Sequence, residues 1–312
     1  MVYLGLESIK QYTSAYKNYK NLLQTFKPDV VHAHMVHANI FARLSRIFFP
    51  IPKLICTAHS NNEGGKARML AYRATHYLSD LTTNVSQSAS ESFETLGAVP
   101  KNGITTIYNG IDLERFQRNE QANLEVRLAL GLSDNDLMLL AVGRLHEAKD
   151  YPNLFHAIEI SLKQYDGHKN IYLFVVGDGD LRSELEHLIT EKKLSTQVHL
   201  LGRRSDIPQL MSAADLFILS SSFEGFGLVV AEAMACQTYV VATDCGGVKE
   251  VMGDTGILVQ PENSLDLAQA LMRAINLSDV EVIQNNMKAV MHVSKNFDLK
   301  IIVTKWLEIY AK

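Results

Sequence analysis

The repeated alternation of short apolar runs with helical segments constrains the fold of this 312-residue chain more than any other feature. Each run is apolar on both faces and ends in Gly, Ser, Thr or His, as buried parallel strands do. Strands that alternate with helices form parallel sheets with helices on their faces. The pattern therefore predicts an α/β chain with parallel sheets. The early runs are residues 2–6, 29–34, 53–59, 81–86 and 104–110, and the later ones are 137–143, 171–177, 198–202, 216–221, 239–243 and 256–259.

A polar stretch without a strand pattern, residues 109–125, separates the two series of runs. The chain length suits two domains of about 150 residues each. We therefore predict a first Rossmann-like domain over residues 1–112 and a second one over residues 113–295, facing one another. Ligands of such sheets bind beyond the carboxyl ends of the strands. The residues that follow each strand are thus the candidates for a functional site.

Composition narrows the class of protein and its compartment. Apolar residues make up 47% and charged residues 21% of the chain, which is ordinary for a soluble globular protein. We see neither the ~18 to 20 apolar residues of a membrane span nor the apolar core of a signal peptide. The cysteines Cys56, Cys236 and Cys245 are scattered, which predicts reduced thiols rather than a disulfide framework. We expect a cytoplasmic protein, with the inner face of the membrane as an alternative.

Charge is distributed unevenly along the chain. Residues 1–120 carry 13 Lys and Arg against 9 Asp and Glu, whereas residues 121–312 carry 17 against 25. The basic first part could attract an anionic surface and give peripheral membrane contact. The other interpretation is ordinary solvated helix faces. We expect no nucleic acid among the partners.

Two cationic side chains follow the first strand of the second series. Arg144 and Lys149 flank a turn that precedes a helix. Arginine offers a planar fork and lysine a point charge, and together they suit a diphosphate. The alternative is a polar surface loop. The "GDGDL" motif at residues 177–181 resembles half of a dinucleotide fingerprint, but it lacks the third glycine and is weak evidence for NAD.

The stretch "SSSFEGFGLVVAEAMACQ", residues 220–237, places two glutamates eight positions apart around Gly-Phe-Gly. It predicts a strand end, a turn that contains Glu224 and a helix that begins near Leu228. Helix N-terminal amides attract anions, and glycines let a ligand approach the backbone. Glu232 lies just over one turn into this helix, and a carboxylate there can hold the vicinal hydroxyls of a ribose. The alternative is that Glu224 complements the helix N-terminus and that Glu232 is an exposed surface charge.

Taken in order, these motifs resemble the retaining glycosyltransferases of family 4, which have the GT-B fold of two facing Rossmann-like domains with parallel sheets. The likeness covers nearly the whole chain. It is carried by "AVGRLHEAKDYPNLFHAI", "GDGDLRSELE", the segment 200–259, and "NVSQSASESF" with "IYNGID". The ordered combination of Arg and Lys, Glu-x7-Glu and Gly-Gly-Val-x-Glu is far more specific than any one motif.

The resemblance implies a role for each donor-side candidate. Arg144 and Lys149 would neutralise the diphosphate of a nucleotide-sugar donor. Glu232 would bind the ribose, Glu224 would contact the hydroxyls of the donor sugar, and Arg203 would frame the nucleobase. Amides around the Gly-Phe-Gly turn would face phosphate and sugar. The implied donor-binding set is Gly143, Arg144, Lys149, Arg203, Gly225, Phe226, Gly227, Leu228 and Glu232.

A histidine in the first domain completes the implied site. His59 directly follows a strand in "CTAHSNNEGG", and the resemblance implies that it lies near the transferred sugar. His59 and Glu224 are therefore the candidate catalytic residues. His32, His34 and His37 look like a metal cluster, but no carboxylate spacing supports one. The resemblance also implies no metal and no cofactor, with the nucleotide diphosphate sugar as co-substrate.

The implied reaction moves a sugar to an acceptor hydroxyl with retained anomeric configuration. We place no carboxylate as a covalent nucleophile, so the resemblance favours displacement on the front face. Acceptors in the family are often lipid-linked or growing surface polysaccharides. One alternative is another enzyme class on the same fold, an epimerase or a phosphorylase, although no motif for pyridoxal phosphate is found. The other is a nucleotide-binding but catalytically impaired partner of an active homologue.

The two ends of the chain carry separate expectations. Family members open with a strand, a glycine-rich loop and a helix before anything like residues 2–6, so we expect the first domain to be incomplete at its N-terminus. The last segment, residues 296–312, is amphipathic with Trp306 on its apolar side. It resembles the GT-B helix that crosses back onto the first domain. A helix on its own domain is the alternative.

Overall fold

The computed structural model describes residues 12–312, and the predicted strand at residues 2–6 lies outside them. Contacts divide the chain into two compact units, one that ends at Ile107 and one that runs from Tyr108 to Lys312. The division falls slightly before the expected boundary at residue 112. In the described part, no helix has the length and apolar character that a membrane span requires.

The first unit is a parallel sheet of four strands in sequence order, β1-β2-β3-β4. The predicted strands are found, but β4 covers only two residues of the predicted run 104–110, because the chain leaves the sheet there. A 3-10 turn, His76–Leu78, leads into β3. The elements are α1 (Tyr12–Phe26), β1 (Val30–His34), α2 (Val36–Ser45), β2 (Lys53–Ala58), α3 (Lys66–Thr75), β3 (Leu81–Asn84), α4 (Gln87–Thr95) and β4 (Thr105–Thr106).

The second unit is a parallel sheet of six strands in the order β10-β9-β8-β5-β6-β7. All six predicted runs are found as strands. The elements are α5 (Glu120–Ala129), β5 (Asp136–Val142), the 3-10 turn Glu147–Lys149, α6 (Tyr151–Gln164), β6 (Asn170–Val176), α7 (Arg182–Glu191), β7 (Val198–Gly202), α8 (Ile207–Ala213), β8 (Leu216–Leu219), α9 (Leu228–Ala235), β9 (Tyr239–Thr243), α10 (Val248–Met252), β10 (Ile257–Val259), α11 (Ser264–Ile275), α12 (Asp279–Phe297) and α13 (Leu299–Ala311).

This strand order is that of a doubly wound Rossmann sheet, in which the winding direction reverses between β5 and β8. The central strands are buried along their length, as their apolar sequences require. In such sheets, a crevice forms at the carboxyl ends of the two strands that flank the reversal. The loops that follow β5 and β8 therefore occupy the place where a ligand is expected.

The C-terminal segment differs from the single helix that the sequence predicts over residues 296–312. Helix α12 continues to Phe297, and a new helix, α13, begins at Leu299. Asp298 interrupts the helix because it forms a bridge with Ile111 and caps α13 through the amide of Lys300. Trp306 stacks on Tyr310 along α13. Crossing onto the first unit stays a prediction.

Candidate functional site

The loops after β5 and β8 are joined to each other at the reversal point of the second sheet. The amide of Ser222 donates to the carbonyl of Ala148 at 3.0 Å. The hydroxyl of Ser220 donates to the carbonyl of Lys149 at 2.8 Å. These hydrogen bonds hold two segments more than seventy residues apart in the chain at one edge of the sheet. They fix the backbone on which the candidate side chains stand.

Lys149 and Glu224 form an ion pair across these two loops. The Lys149 ammonium lies 2.5 Å from Glu224 Oε1, and the two side chains are only 20% and 15% exposed. The Ser221 hydroxyl donates to the same carboxylate oxygen at 2.8 Å, and Thr243 Oγ1 donates to the carbonyl of Ser221 at 2.6 Å. Within residues 12–312, no hydrogen bond involves Glu224 Oε2. One carboxylate oxygen is thus fixed and the other can accept a ligand hydroxyl.

Two glycines permit this arrangement by leaving room where a side chain would collide. A Cβ on Gly246 would lie 1.8 Å from the carbonyl oxygen of Glu224, and the φ of Gly246 is +55°. A Cβ on Gly143 would lie 2.8 Å from Cε of Lys149. The lysine stem therefore crosses directly over Gly143 to reach Glu224. Gly246 is the first glycine of the Gly-Gly-Val-x-Glu motif, and the contact gives that motif a physical reason.

The Gly-Phe-Gly turn is anchored by the aromatic ring at its centre. Phe226 is buried, with its ring 5.2 Å from that of Phe297 in an edge-to-face arrangement and 5.9 Å from that of Tyr108. Gly227 follows with a φ of +95° and stands at the N-cap of α9, where no side chain caps the helix. The first turn of α9, from Leu228, therefore keeps amides that can bind an anion.

Glu232, on the next turn of α9, is half-buried rather than exposed. The exposed interpretation of this residue is therefore wrong. Burial raises the pKa of its carboxyl to about 7, and the nearby Arg115 opposes that rise only in part. In the described part of the chain, its side chain has no hydrogen bond and no ion pair. A desolvated carboxylate without a partner is unfavourable in the empty protein, and a ligand with hydroxyl donors would satisfy it.

The two candidate arginines lie on neighbouring loops and are more exposed. The Arg144 side chain is 65% exposed and binds Asp180 Oδ2 at 2.9 Å, which links the loops after β5 and β6. Arg203 is exposed on the loop after β7, which lies two strands from β5. At the usual spacing of parallel strands, that is about 10 Å along the sheet edge. The structure thus brings Lys149 and Glu224 into contact and leaves Arg203 apart from them.

In the first unit, His59 lies at the carboxyl end of β2 and is joined to a second histidine. His34 Nδ1 is 3.0 Å from His59 Nε2, and the ring of His32 lies 4.0 Å from that of His34. Burial lowers the pKa of all three imidazoles, to about 4 for His32. His37 does not join this group. Within the described residues, no set of three or more His, Cys, Asp or Glu side chains is arranged to hold a metal ion.

Sequence reasoning missed several residues that shape these sites. Ser221 and Asp180 each bind a candidate side chain. Both belong to motifs of the sequence analysis, residues 220–237 and 177–181, but a serine or an aspartate in such a loop has no distinctive signal of its own. Gly246 and His34 also lie inside motifs, but no pattern in the sequence indicates the contacts that they make. Alternation of side chains along β1 and β2 places His34 and His59 at adjacent strand ends, and that pattern could have indicated the pair.

Two parallel α/β sheets, the second doubly wound with a charged site at its reversal point, are the architecture of the GT-B class of glycosyltransferases. The family described as Glycosyl transferases group 1 matches residues 124–289, and the family Glycosyltransferase Family 4 matches residues 1–115. Since the first match covers more than half of the chain, the chain belongs to the group 1 glycosyl transferases. The predicted fold and enzyme class, a transferase of the GT-B type, are confirmed.

Relatives and solved structures agree with this assignment. The uncharacterized glycosyltransferase MJ1607 of Methanocaldococcus jannaschii is 31% identical over 89% of this chain and 74% of its own length. The UDP-Gal:alpha-D-GlcNAc-diphosphoundecaprenol alpha-1,3-galactosyltransferase of Escherichia coli is 26% identical over 90% and 74%. The crystal structure of Anabaena Alr3699/HepE in complex with UDP-glucose has a TM-score of 0.84 at 25% identity, over 98% of this chain and 84% of that one.

Proposed function

We propose that this chain transfers a sugar from a nucleoside diphosphate sugar, with UDP as the nucleotide, to a hydroxyl of a carbohydrate or lipid-linked acceptor, with retention of configuration. The observation that carries the proposal is the Lys149–Glu224 pair beside the uncapped N-terminus of α9. A cation and free amides at one end of the pair suit a diphosphate. The unoccupied carboxylate oxygen at the other end suits a sugar hydroxyl.

The diphosphate would lie between the loops after β5 and β8. Lys149 supplies a point charge, and Arg144 supplies a fork once it exchanges Asp180 for phosphate. The amides around Phe226, Gly227 and Leu228 supply donors at the positive end of the helix dipole, where Gly225 and Gly227 carry no side chains. Gly143 would sit beside the phosphates, because the lysine stem and the Tyr151 hydroxyl leave no room for a side chain there. These groups would stabilise the negative charge that develops on the leaving diphosphate.

The remaining donor contacts follow from the order of loops along the sheet. Glu232, which has no partner in the described chain, would accept hydrogen bonds from the two ribose hydroxyls. Glu224 Oε2 would accept from a hydroxyl of the sugar. Arg203 would contact the nucleobase, at the spacing of about 10 Å that two strands provide. The proposed ligand thus extends from β8 to β7.

The transfer step needs no covalent intermediate on the protein. The bond between the anomeric carbon and the phosphate oxygen breaks, and the acceptor oxygen forms its bond on the same face. The acceptor proton passes to the departing phosphate oxygen, so charge and atoms balance without an added base. We propose that His59 lies next to the transferred sugar, that Glu224 orients its hydroxyls, and that positioning supplies most of the rate enhancement without metal or cofactor.

The relatives support the choice of substrates. The Escherichia coli relative is named for a UDP-linked galactose donor and a diphosphoundecaprenol acceptor. The Anabaena neighbour is bound to UDP-glucose. A lipid-linked acceptor would be met at the cytoplasmic face of the membrane, and we propose that the basic first 120 residues make peripheral contact there. Polysaccharide or glycolipid synthesis is then the process served.

Calorimetric titration in EDTA with UDP, GDP and uridine tests the donor site. We expect binding of UDP, weaker binding of uridine, and release of sugar from a UDP-sugar. Glu224→Gln should keep UDP affinity but lose release or transfer, whereas Glu184→Gln, an exposed carboxylate on α7, should change neither. Absence of UDP binding would contradict the proposal, and binding of GDP alone would contradict the choice of nucleotide. Binding without hydrolysis or transfer would favour a catalytically impaired partner instead.

A further inference from the structure

The ring of His59 has one nitrogen that is occupied and one that is free. Nε2 of His59 lies 3.0 Å from Nδ1 of His34, which belongs to the neighbouring strand end. Nδ1 of His59 has no hydrogen bond to any residue in the described range 12–312. The two nitrogens of this imidazole therefore face different surroundings, one protein and one open to a ligand.

His34 contacts the ring of His32, a half-buried histidine that is hydrogen-bonded to a buried threonine of the sheet. The ring of His32 lies 4.0 Å from the ring of His34, and His32 Nε2 is 2.6 Å from Thr57 Oγ1. Thr57 Oγ1 is in turn 2.6 Å from Thr83 Oγ1, and both threonines are buried. The order runs from the buried threonines to His32, then to His34 and His59. His34 is thus the last protein group before His59.

The backbone of His59 is fixed by a second set of hydrogen bonds. Its amide donates to Glu63 Oε1 at 2.8 Å, and the hydroxyl of Tyr72 donates to Glu63 Oε2 at 2.6 Å. Asn39 Nδ2 donates to the Tyr72 oxygen at 2.8 Å, and Tyr72 and Asn39 are fully buried. Backbone and ring of His59 are therefore held by different groups, and among residues 12–312 His34 makes the only hydrogen bond to the ring.

Neutral imidazoles make this contact directional. Burial lowers the pKa of both His34 and His59, so both rings are neutral near pH 7. A neutral imidazole has one N–H donor and one lone pair, so a hydrogen bond between two such rings couples their tautomers: one ring donates and the other accepts. Whether His59 Nε2 carries the proton therefore depends on the tautomer of His34. The state of Nδ1 follows, because the two nitrogens of a neutral ring carry one proton between them.

We infer that His34 is a positioning residue for His59: it engages Nε2, couples the tautomer of the His59 ring to its own and leaves Nδ1 as the nitrogen that can meet the sugar or acceptor. The consequence for turnover rests on the proposed function, which puts His59 next to the transferred sugar. The hydrogen bond between the two rings is independent of that proposed function. A variant that keeps a hydrogen-bonding atom at the place of His34 Nδ1 should preserve both the contact with the His59 ring and turnover.

Three variants separate the ring contact from a general effect on folding. His34→Asn keeps a polar atom near the position of Nδ1, and His34→Leu removes it while keeping an exposed side chain of similar size. His37→Leu is the matched control, an exposed histidine on α2 that the contact does not involve. The readout is the pair of ¹⁵N chemical shifts of the His59 ring, assigned by their loss in His59→Gln.

We expect the His59 shifts to change in His34→Leu, to stay close to the parent in His34→Asn, and to be unaffected in His37→Leu. Turnover should fall about tenfold in His34→Leu with KM for the donor nearly unchanged, as loss of one hydrogen bond predicts. Unchanged His59 shifts in His34→Leu would overturn the inference. Shifts that change without loss of turnover would support the contact and contradict the proposed role of His59.

Discussion

Replacing Glu232 by glutamine should stabilise the empty protein at alkaline pH while weakening its binding of ribonucleotides. The carboxyl is half-buried without a partner in the described chain, and its pKa rises from the ordinary 4.5 to about 7. Glutamine keeps the shape and removes the charge. The same substitution thus tests whether the charge that destabilises the empty protein is the charge that binds the ligand.

The size and sign of the stability effect follow from proton linkage. A carboxyl whose pKa is raised by folding favours the folded state below pH 4.5, and that contribution is lost as the pH rises from 4.5 to about 7. At 1.36 kcal/mol for each pH unit, the ionised form destabilises the folded state by about 3 kcal/mol above pH 7. Glu232→Gln should recover most of this free energy of unfolding at pH 8 and almost none at pH 4.5.

Urea unfolding at the two pH values measures the effect, followed by the fluorescence of Trp306, the single tryptophan of the chain. Calorimetry at pH 8 compares the affinity for UDP with the affinity for 2′,3′-dideoxy UDP. Loss of charge-assisted hydrogen bonds to the ribose should cost about 1.5 to 3 kcal/mol, or roughly 10- to 150-fold in affinity. The dideoxy nucleotide should bind both proteins alike. Glu184→Gln should leave stability and affinity unchanged.

Equal stability of parent and Glu232→Gln at pH 8 would show that the carboxylate is well solvated or paired. Equal weakening of UDP and its dideoxy analogue would show that the residue acts on the fold of α9 rather than on the diol. Either result would refute the reasoning from burial. A gain in stability together with a selective loss of ribonucleotide affinity is expected only if the empty site holds an unsatisfied charge.

Two further predictions concern the cations that would bind the diphosphate and the glycine that lies against the Glu224 backbone. Lys149→Ala should weaken the binding of UDP by about 1.5 to 3 kcal/mol and that of uridine much less, and Arg144→Ala should act in the same direction. Calorimetry measures both variants. Equal losses of affinity for UDP and uridine would contradict a phosphate role. Gly246→Ala should abolish UDP binding, because its Cβ would lie 1.8 Å from the Glu224 carbonyl oxygen. Gly131→Ala, at a φ of +71° with no atom within 4 Å of the added Cβ, controls for the positive φ and should retain UDP binding.

The sheets could be predicted from sequence because their strands are apolar on both faces. In the second unit, β7 and β9 have the predicted bounds, and the other predicted strands differ at their ends. Burial of the whole strand leaves only one assignment for a run such as 239–243. Strand β4 was overestimated because an apolar pattern cannot say where pairing with a neighbour stops. The end of α12 was missed for a related reason, since a bridge from Ile111 interrupts the helix.

The candidate site could be predicted only as a set of positions. Sequence placed Lys149 and Glu224 after separate strands, and the strand order then brought those strands together. Their direct ion pair could not be foreseen, because it depends on a glycine at 143 under the lysine stem and on Gly246 under the glutamate backbone. The burial of Glu232 could not be predicted either, because the sequence does not show whether a single position of a helix is packed or solvated. Contacts of this kind are tertiary and leave no local pattern.

Charge balance in the empty site indicates how a donor would be held. The two cations assigned to the diphosphate are already paired, Lys149 with Glu224 and Arg144 with Asp180, whereas Glu232 has no partner among residues 12–312. An incoming diphosphate therefore meets little uncompensated positive charge from side chains. Arg144 is exposed and can exchange its partner at small cost. Lys149 is shielded and stays beside Glu224, so the amides at the start of α9 must supply much of the attraction. The glycines at 225 and 227, which expose those amides, then matter as much for affinity as either cation.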